Sequence, residues 1–172
     1  MANKKLVTGL PRIEGLTVQS CTRPQIAKLI KSTKWAEAFS AKEVATLSAY
    51  VQVCVAEKGA FIVREGGHEA YLCLLIKGLV SIVKEDKRLG AAGPGRIVGE
   101  MSLIDGEPRS ASIVVVEPTT MVVLTAEDFA RLSEEVPRLS TKVLHEIARL
   151  ISERLRQTSA ALVDYIGGLL LE

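Results

Sequence analysis

Paired cysteines, one-signed charge blocks, long apolar runs and catalytic signatures are all missing from this chain, and each absence removes a class of function. Its three cysteines, Cys21, Cys54 and Cys73, are an odd number without a CxxC pair. That pattern speaks against a disulfide scaffold or zinc ribbon and for reduced, mostly buried thiols in a cytoplasmic chain. Lys and Arg number 22 against 20 Asp and Glu, scattered along the sequence, so charge nominates no polyanionic partner. The opening MANKKLVTGLPRIEG has no apolar stretch of signal-peptide length, and no window approaches the roughly 20 apolar residues that cross a bilayer. Neither secretion nor membrane insertion is expected. HExxH, GxSxG and GxxxxGK[ST] do not occur, and His68 and His145 stand far apart without ligand-spaced neighbours, so no hydrolase and no metal site is expected. The aromatics Trp35, Phe39 and Phe61 read as packing residues rather than base-stacking platforms.

What is present suits one domain. A chain of 172 residues that is 48% hydrophobic and 24% charged can bury one substantial core with helical flanks. Residues 1 to 22 lack periodicity and are expected to form a flexible arm. A helix is predicted to start at Thr22 or Arg23, with Pro24 in its first turn, and to break near Ser32 and Thr33. Ser40 and Glu43 have capping-box spacing ahead of Val44 and Leu47. From Val51 to Val55 the pattern alternates as in a strand.

Nine of the 13 glycines fall between residues 59 and 106, interleaved with short apolar runs. This texture predicts strands joined by tight turns, at Phe61 to Val63, Tyr71 to Ile76, Leu79 to Val83 and Ile97 to Val98. Ile113 to Val116 and Met121 to Leu124 are predicted to pair across a Glu117-Pro118-Thr119 turn. Thr125 and Asp128 cap a helix over 126 to 134. After Pro137, apolar residues at helical spacing from Leu139 to Leu162 predict a long helix to about Tyr165, ended by Gly167 and Gly168. Its wetted side carries the pairs Glu146 with Arg149 and Arg149 with Glu153.

The segment Gly99-Glu100-Met101-Ser102-Leu103-Ile104-Asp105-Gly106-Glu107-Pro108-Arg109-Ser110-Ala111-Ser112 carries the chemistry. A glycine followed by a short helical turn directs backbone amides toward an anion, and Arg109 offers a planar donor fork to phosphate oxygens. Glu100 would repel phosphate but accepts well from a ribose hydroxyl. Together they suit a nucleotide whose sugar and phosphate lie close, especially a cyclic monophosphate, with Ser110 as a hydroxyl donor to phosphate or a purine edge. The competing reading makes Glu100 and Arg109 a salt bridge that closes a β loop, and local spacing leaves both open.

This segment resembles the phosphate-binding cassette of the cyclic nucleotide-binding domain family. That pattern runs Gly-Glu, a short helix of small and aliphatic residues, then Pro-Arg, a small or hydroxyl residue and Ala. Gly99, Glu100, Met101, Ser102, Arg109, Ser110 and Ala111 take its positions. Lys58 to Gly67, Ile76 to Val80 and Gly93 to Gly95 look like the family's β-roll turns, so the resemblance covers about residues 24 to 160.

The resemblance implies an α+β fold: an antiparallel, jelly-roll-like β-roll flanked by N-terminal helices and a long C-terminal helix. The domain would span 23 to 166, with a tail at 167 to 172. It implies a non-catalytic sensor with no catalytic cofactor, binding cAMP or cGMP and regulating an attached or partner module; cAMP is the weakly preferred expectation, with the purine choice kept open by Ser110. Glu100 would accept from the ribose 2'-hydroxyl, Arg109 would pair with the cyclic phosphate assisted by Ser110, and the amides near Ser102 and the Gly99 turn would complete the anion shell. Cleaving the phosphate would demand an activated water and often metals, for which Glu65, Asp86, Asp105 and Glu107 supply no cluster. The segment Arg149 to Leu155 is expected to close over the base, with Tyr165 the second choice. The apolar stripe on the long helix makes a homodimer a further expectation. Only Gly167 to Glu172 follow that helix, so direct nucleic-acid binding is not expected and the output is sought in an effector or a module outside the chain. The rival reading is a degenerate β-roll serving as an interaction or dimerisation module without nucleotide.

Overall fold

Three helix starts are set by side chains that accept or donate at the cap. The Thr22 amide donates to Gln25 Oε1 at 2.8 Å, the Ser40 amide to Glu43 Oε2 at 2.7 Å, and the Asp128 amide to Thr125 Oγ1 at 3.1 Å. Each satisfies a polar group that a helix terminus leaves orphaned. In the computed structural model, which describes residues 16–169, these caps open α1 (Arg23–Lys31), α2 (Ala41–Leu47) and α4 (Ala126–Glu135). A 3-10 turn, Lys34–Ala38, follows the break at Ser32 and Thr33.

Seven antiparallel strands form the centre: β1 (Leu16–Gln19), β2 (Gln52–Ala56), β3 (Phe61–Val63), β4 (Tyr71–Lys84), β5 (Lys87–Ala92), β6 (Ile97–Val98) and β7 (Ser112–Thr125). The sheet order is β1-β2-β7-β4-β5, with β3 on β7 and β6 on β4. The short helix α3 (Met101–Asp105) lies between β6 and β7, and the long helix α5 (Pro137–Leu169) closes the described chain. The result is the α+β antiparallel roll with flanking helices that the resemblance implies.

Period-two alternation divides the core in two. On β4, Leu72 and Leu74 face the helices while Tyr71, Cys73 and Leu75 fill the roll; on β7, Val122 and Leu124 face out and Met121 and Val123 face in. A strand buried on both faces reads as an unbroken apolar run, as Tyr71 to Ile76 does. Cys54 and Cys73 sit inside the roll as free thiols. Burial pushes the Cys54 thiol up to about 12 and raises that of Cys73 as well, so both stay protonated.

The sheet differs from the predicted pattern in four places. Ile113 to Val116 and Met121 to Leu124 do not form a hairpin; they are halves of β7, both paired with β4. Pro118 sits where the β4–β7 register shifts, between the pairs Leu79↔Glu117 and Lys77↔Thr120. A bulge tolerates a residue without an amide proton. Gly78 likewise does not separate two strands: with φ +94° it carries β4 through the same bulge, where a Cβ would meet the Pro118 carbonyl at 2.5 Å. The hairpin strand β5 lay outside the predicted strands, because Lys87-Arg88-Leu89-Gly90 shows no alternation and is mostly exposed. Leu16–Gln19, expected in a flexible arm, pairs with β2 in register from Leu16↔Ala56 to Gln19↔Val53; residues 1–15 of that arm lie outside the described residues.

The long helix also departs from its predicted end. It runs through Gly167 and Gly168 to Leu169, because glycine weakens a helix by about 1 kcal/mol without breaking it. The remainder of the expected tail, 170–172, lies outside the described residues. Of the two predicted charge pairs on it, Glu146 and Arg149 meet at 3.0 Å, while the ion pairs found among the described residues do not include Arg149 with Glu153. Lys142 ties α5 to α2 by donating to Glu43 at 2.9 Å. The Lys142 ammonium and the Ser40 amide hold the Glu43 carboxyl down to about 2. A depressed carboxylate favours the fold above its unfolded value near 4.5 and loses that contribution only as pH falls toward 2.

Candidate functional site

At the end of β6, Gly99 turns the chain with φ +75° into α3, and Arg109 returns it toward β7. The turn is glycine for a steric reason. A Cβ there would lie 2.9 Å from Arg109 Nη1 and 3.1 Å from the Tyr71 carbonyl oxygen, so any side chain would push the arginine out of its seat.

That seat is built from backbone. Arg109 Nη1 donates to the Gly99 carbonyl at 2.6 Å and Nη2 to the Tyr71 carbonyl at 2.9 Å. The guanidinium stands over the Tyr71 ring, 4.5 Å from its centroid, and the Tyr71 hydroxyl is itself anchored to the Ile62 carbonyl. Burial raises the Tyr71 phenol well above its ordinary value, so it remains a neutral donor. The turn before β4 locks the backbone of Arg109: its amide donates to the Gly67 carbonyl and its carbonyl accepts from the Gly66 amide, both at 2.8 Å.

Only two of the five N–H donors of this 4% exposed arginine are used in these bonds, and its buried Nε has no partner among the described residues. A buried cation without a carboxylate is costly, and an anion is the group that would complete it. The Ser102 hydroxyl on α3 is likewise buried without a partner among the described residues. Both residues line an open pocket whose polar members are Glu100, Ser102, Arg109, Ser110 and Arg154 and whose apolar wall includes Val63, Ile82, Val98 and Ile113. A pocket of this kind, apolar with a few convergent polar groups, fits a small molecule better than a surface partner.

All seven sequence-predicted residues line this cavity: Gly99, Glu100, Met101, Ser102, Arg109, Ser110 and Ala111. The competing loop-closing salt bridge between Glu100 and Arg109 is not what forms. Glu100, 4% exposed, is instead paired with Arg154 of α5, whose other terminal nitrogen donates to the Ile97 carbonyl. Ser110 is exposed and its hydroxyl lies 3.7 Å from Met101 Sδ, a weak bond that leaves it free to serve a ligand. Tyr165 is two-thirds exposed and does not line the cavity. Trp35 and Phe39 pack together in the core with ring centroids 4.6 Å apart. Among the described residues no three His, Cys, Asp or Glu side chains gather to hold a metal ion.

Two residues escaped sequence reasoning in their roles. Tyr71 looked like the start of an apolar strand, and nothing local marks its ring and carbonyl as the seat of a residue 38 positions away. Arg154 lies in the segment expected to close over the pocket, but what it reaches is Glu100. Its one sequence signal is a basic residue set between the apolar positions Ile151 and Leu155.

Comparison with known proteins gives this geometry a context. The sequence pattern described as "Cyclic nucleotide-binding domain" matches residues 53–135. A crystal structure of a cyclic nucleotide-binding domain from Methylobacillus flagellatus is 30% identical, with a TM-score of 0.77 over 87% of this chain and 89% of that one. The cyclic AMP receptor protein of Thermus thermophilus is 33% identical over 70% of this chain, and glutaminase 1 of Bradyrhizobium diazoefficiens 32% over 69%. The chain spans 56% of the length of the first of these two proteins and 19% of the second.

Proposed function

The chain belongs to the cyclic nucleotide-binding domain family, and on that premise we propose that it is a non-catalytic sensor of cAMP, with cGMP as the weaker ligand. The observation that carries the reading is Arg109: a buried guanidinium held by two backbone carbonyls, with a buried Nε that has no partner among the described residues, on the wall of an open pocket with few, convergent polar groups. The cyclic phosphate supplies the missing anion, Glu100 accepts from the ribose 2'-hydroxyl, and the Ser110 and Ser102 hydroxyls donate to phosphate oxygens. Val63, Ile82, Val98 and Ile113 provide apolar surface beside them. The relative named as a cyclic AMP receptor protein supports the choice of adenine.

Occupancy is transmitted through α5, to an effector or to a module outside this chain. A ligand can shift that helix only if it binds the closed and open arrangements with different affinity. Displacement of a labelled cyclic nucleotide by unlabelled cAMP and cGMP tests the preference: cAMP is expected to compete at the lower concentration, and a lower concentration of cGMP reverses the assignment.

A second copy of the chain is the proposed partner of the distal α5 surface. Leu155, Leu162, Val163, Tyr165 and Ile166 are all exposed there, and Leu155, Leu162 and Ile166 recur at spacings of seven and four that bring them onto one face. Sedimentation at several concentrations is expected to show a dimer that dissociates on dilution. A monomer at every concentration, with and without nucleotide, rejects it. No helix among the described residues is long and apolar enough to cross a membrane.

A further inference from the structure

Of the two methionines among the described residues, Met121 is fully buried inside the roll, whereas Met101, in the first turn of α3, is 48% exposed. A dissolved oxidant therefore reaches the thioether of Met101 and not that of Met121. The thiols inside the roll do not compete for it. Cys54 and Cys73 are almost wholly buried, and burial holds both protonated, while the thiolate is the reactive form of cysteine.

What surrounds the sulfur makes that exposure consequential. Met101 lines the pocket together with Arg109 and Ser110, and the Ser110 hydroxyl donates to Met101 Sδ across 3.7 Å. A thioether is a weak acceptor, so this hydroxyl is readily given up to a phosphate oxygen. Oxidation changes the balance, because the sulfoxide is a polar group with an oxygen acceptor. An oxygen added to Sδ lies within reach of the same hydroxyl and accepts from it far more strongly than sulfur does.

We propose that Met101 is a redox modification site: its oxidation to the sulfoxide captures the Ser110 hydroxyl and withdraws it from the cyclic phosphate, so that an oxidant lowers nucleotide affinity. The inference rests on the sensor reading and adds to it a chemical control of the same pocket. The oxidant is a peroxide. The sulfur gives an electron pair to one peroxide oxygen and keeps that oxygen as the sulfoxide, while the O–O bond breaks and the other oxygen leaves as water or an alcohol. A methionine sulfoxide reductase reverses the change with a dithiol as reductant: the oxygen leaves as water and the dithiol becomes a disulfide.

The test titrates cAMP into the full chain before and after mild treatment with hydrogen peroxide, in the wild type, Met101→Leu and Ser110→Ala, with mass mapping of the methionine and cysteine peptides. Each untreated protein is the reference for its own treated form. Met101 is expected to gain one oxygen ahead of Met121, and the treated wild type to bind cAMP about tenfold more weakly, the range of one hydrogen bond to a charged group. Reductase treatment should restore the affinity. Met101→Leu keeps an apolar side chain of similar size and should lose nothing on treatment. Ser110→Ala should lose little, because the hydroxyl that the sulfoxide captures is gone. A wild type with Met101 oxidised and its affinity unchanged overturns the inference and leaves the sensor reading intact, as does an equal loss on treatment in Met101→Leu or in Ser110→Ala. So does a Met101 that resists a peroxide dose sufficient to oxidise free methionine. An untreated wild type that binds neither cAMP nor cGMP overturns the sensor reading itself, and the inference with it.

Discussion

Arg109→Lys should lose at least about 30-fold in affinity for cAMP, the equivalent of roughly 2 kcal/mol for a charge-assisted contact with a desolvated phosphate. Lysine keeps the charge and most of the length, but an ammonium cannot bond two carbonyls 38 and 10 residues away in sequence while still presenting a fork to phosphate. The backbone pairing of residue 109 with Gly66 and Gly67 does not depend on the side chain, so the fold is expected to persist, with a lower unfolding temperature. Calorimetric titration and thermal unfolding on the same sample separate the two effects. A folded Arg109→Lys protein with wild-type affinity would remove the phosphate from Arg109 and favour an interaction module that needs no nucleotide.

The second large effect is expected at Glu100. Its replacement by glutamine keeps the shape and an accepting oxygen but removes the charge, and a hydrogen bond to a charged group contributes about 1.5–3 kcal/mol. Glu100→Gln should therefore weaken cAMP by about tenfold or more, and wild type should lose a similar factor with 2'-deoxy-cAMP. Both changes remove one contact, so applying them together should cost little more than either alone. Full additivity in this four-way comparison would place the 2'-hydroxyl elsewhere in the pocket.

How far the sequence reveals this site depends on the range of the forces that build it. The helix starts at Ser40 and Thr125 are legible because a cap is closed by a residue three positions on, and the start near Thr22 because Pro24 suits a first helical turn. The stretch from Gly99 to Ala111 is legible because its turn, short helix and arginine lie within one continuous segment. Pro118 misleads for the opposite reason: its local preference is for a turn, whereas two long strands and a bulge around Gly78 hold it within β7. The roles of Tyr71 and Arg154 are long-range by nature. One offers its ring and carbonyl to an arginine on another element, and the other crosses from α5 to a buried carboxylate. Neither contact has a spacing that sequence alone can register, and the competing Glu100–Arg109 bridge failed for the same reason: each partner found a better one far along the chain.

Calorimetric titration of the full chain with cAMP and with cGMP tests the central claim most directly, since it requires no label and no variant. The expected result is saturable heat at one site per chain, with the lower dissociation constant for cAMP. Absence of heat with both nucleotides at millimolar concentration, from a sample shown to be folded, would contradict the claim that Arg109 and Glu100 hold a cyclic nucleotide.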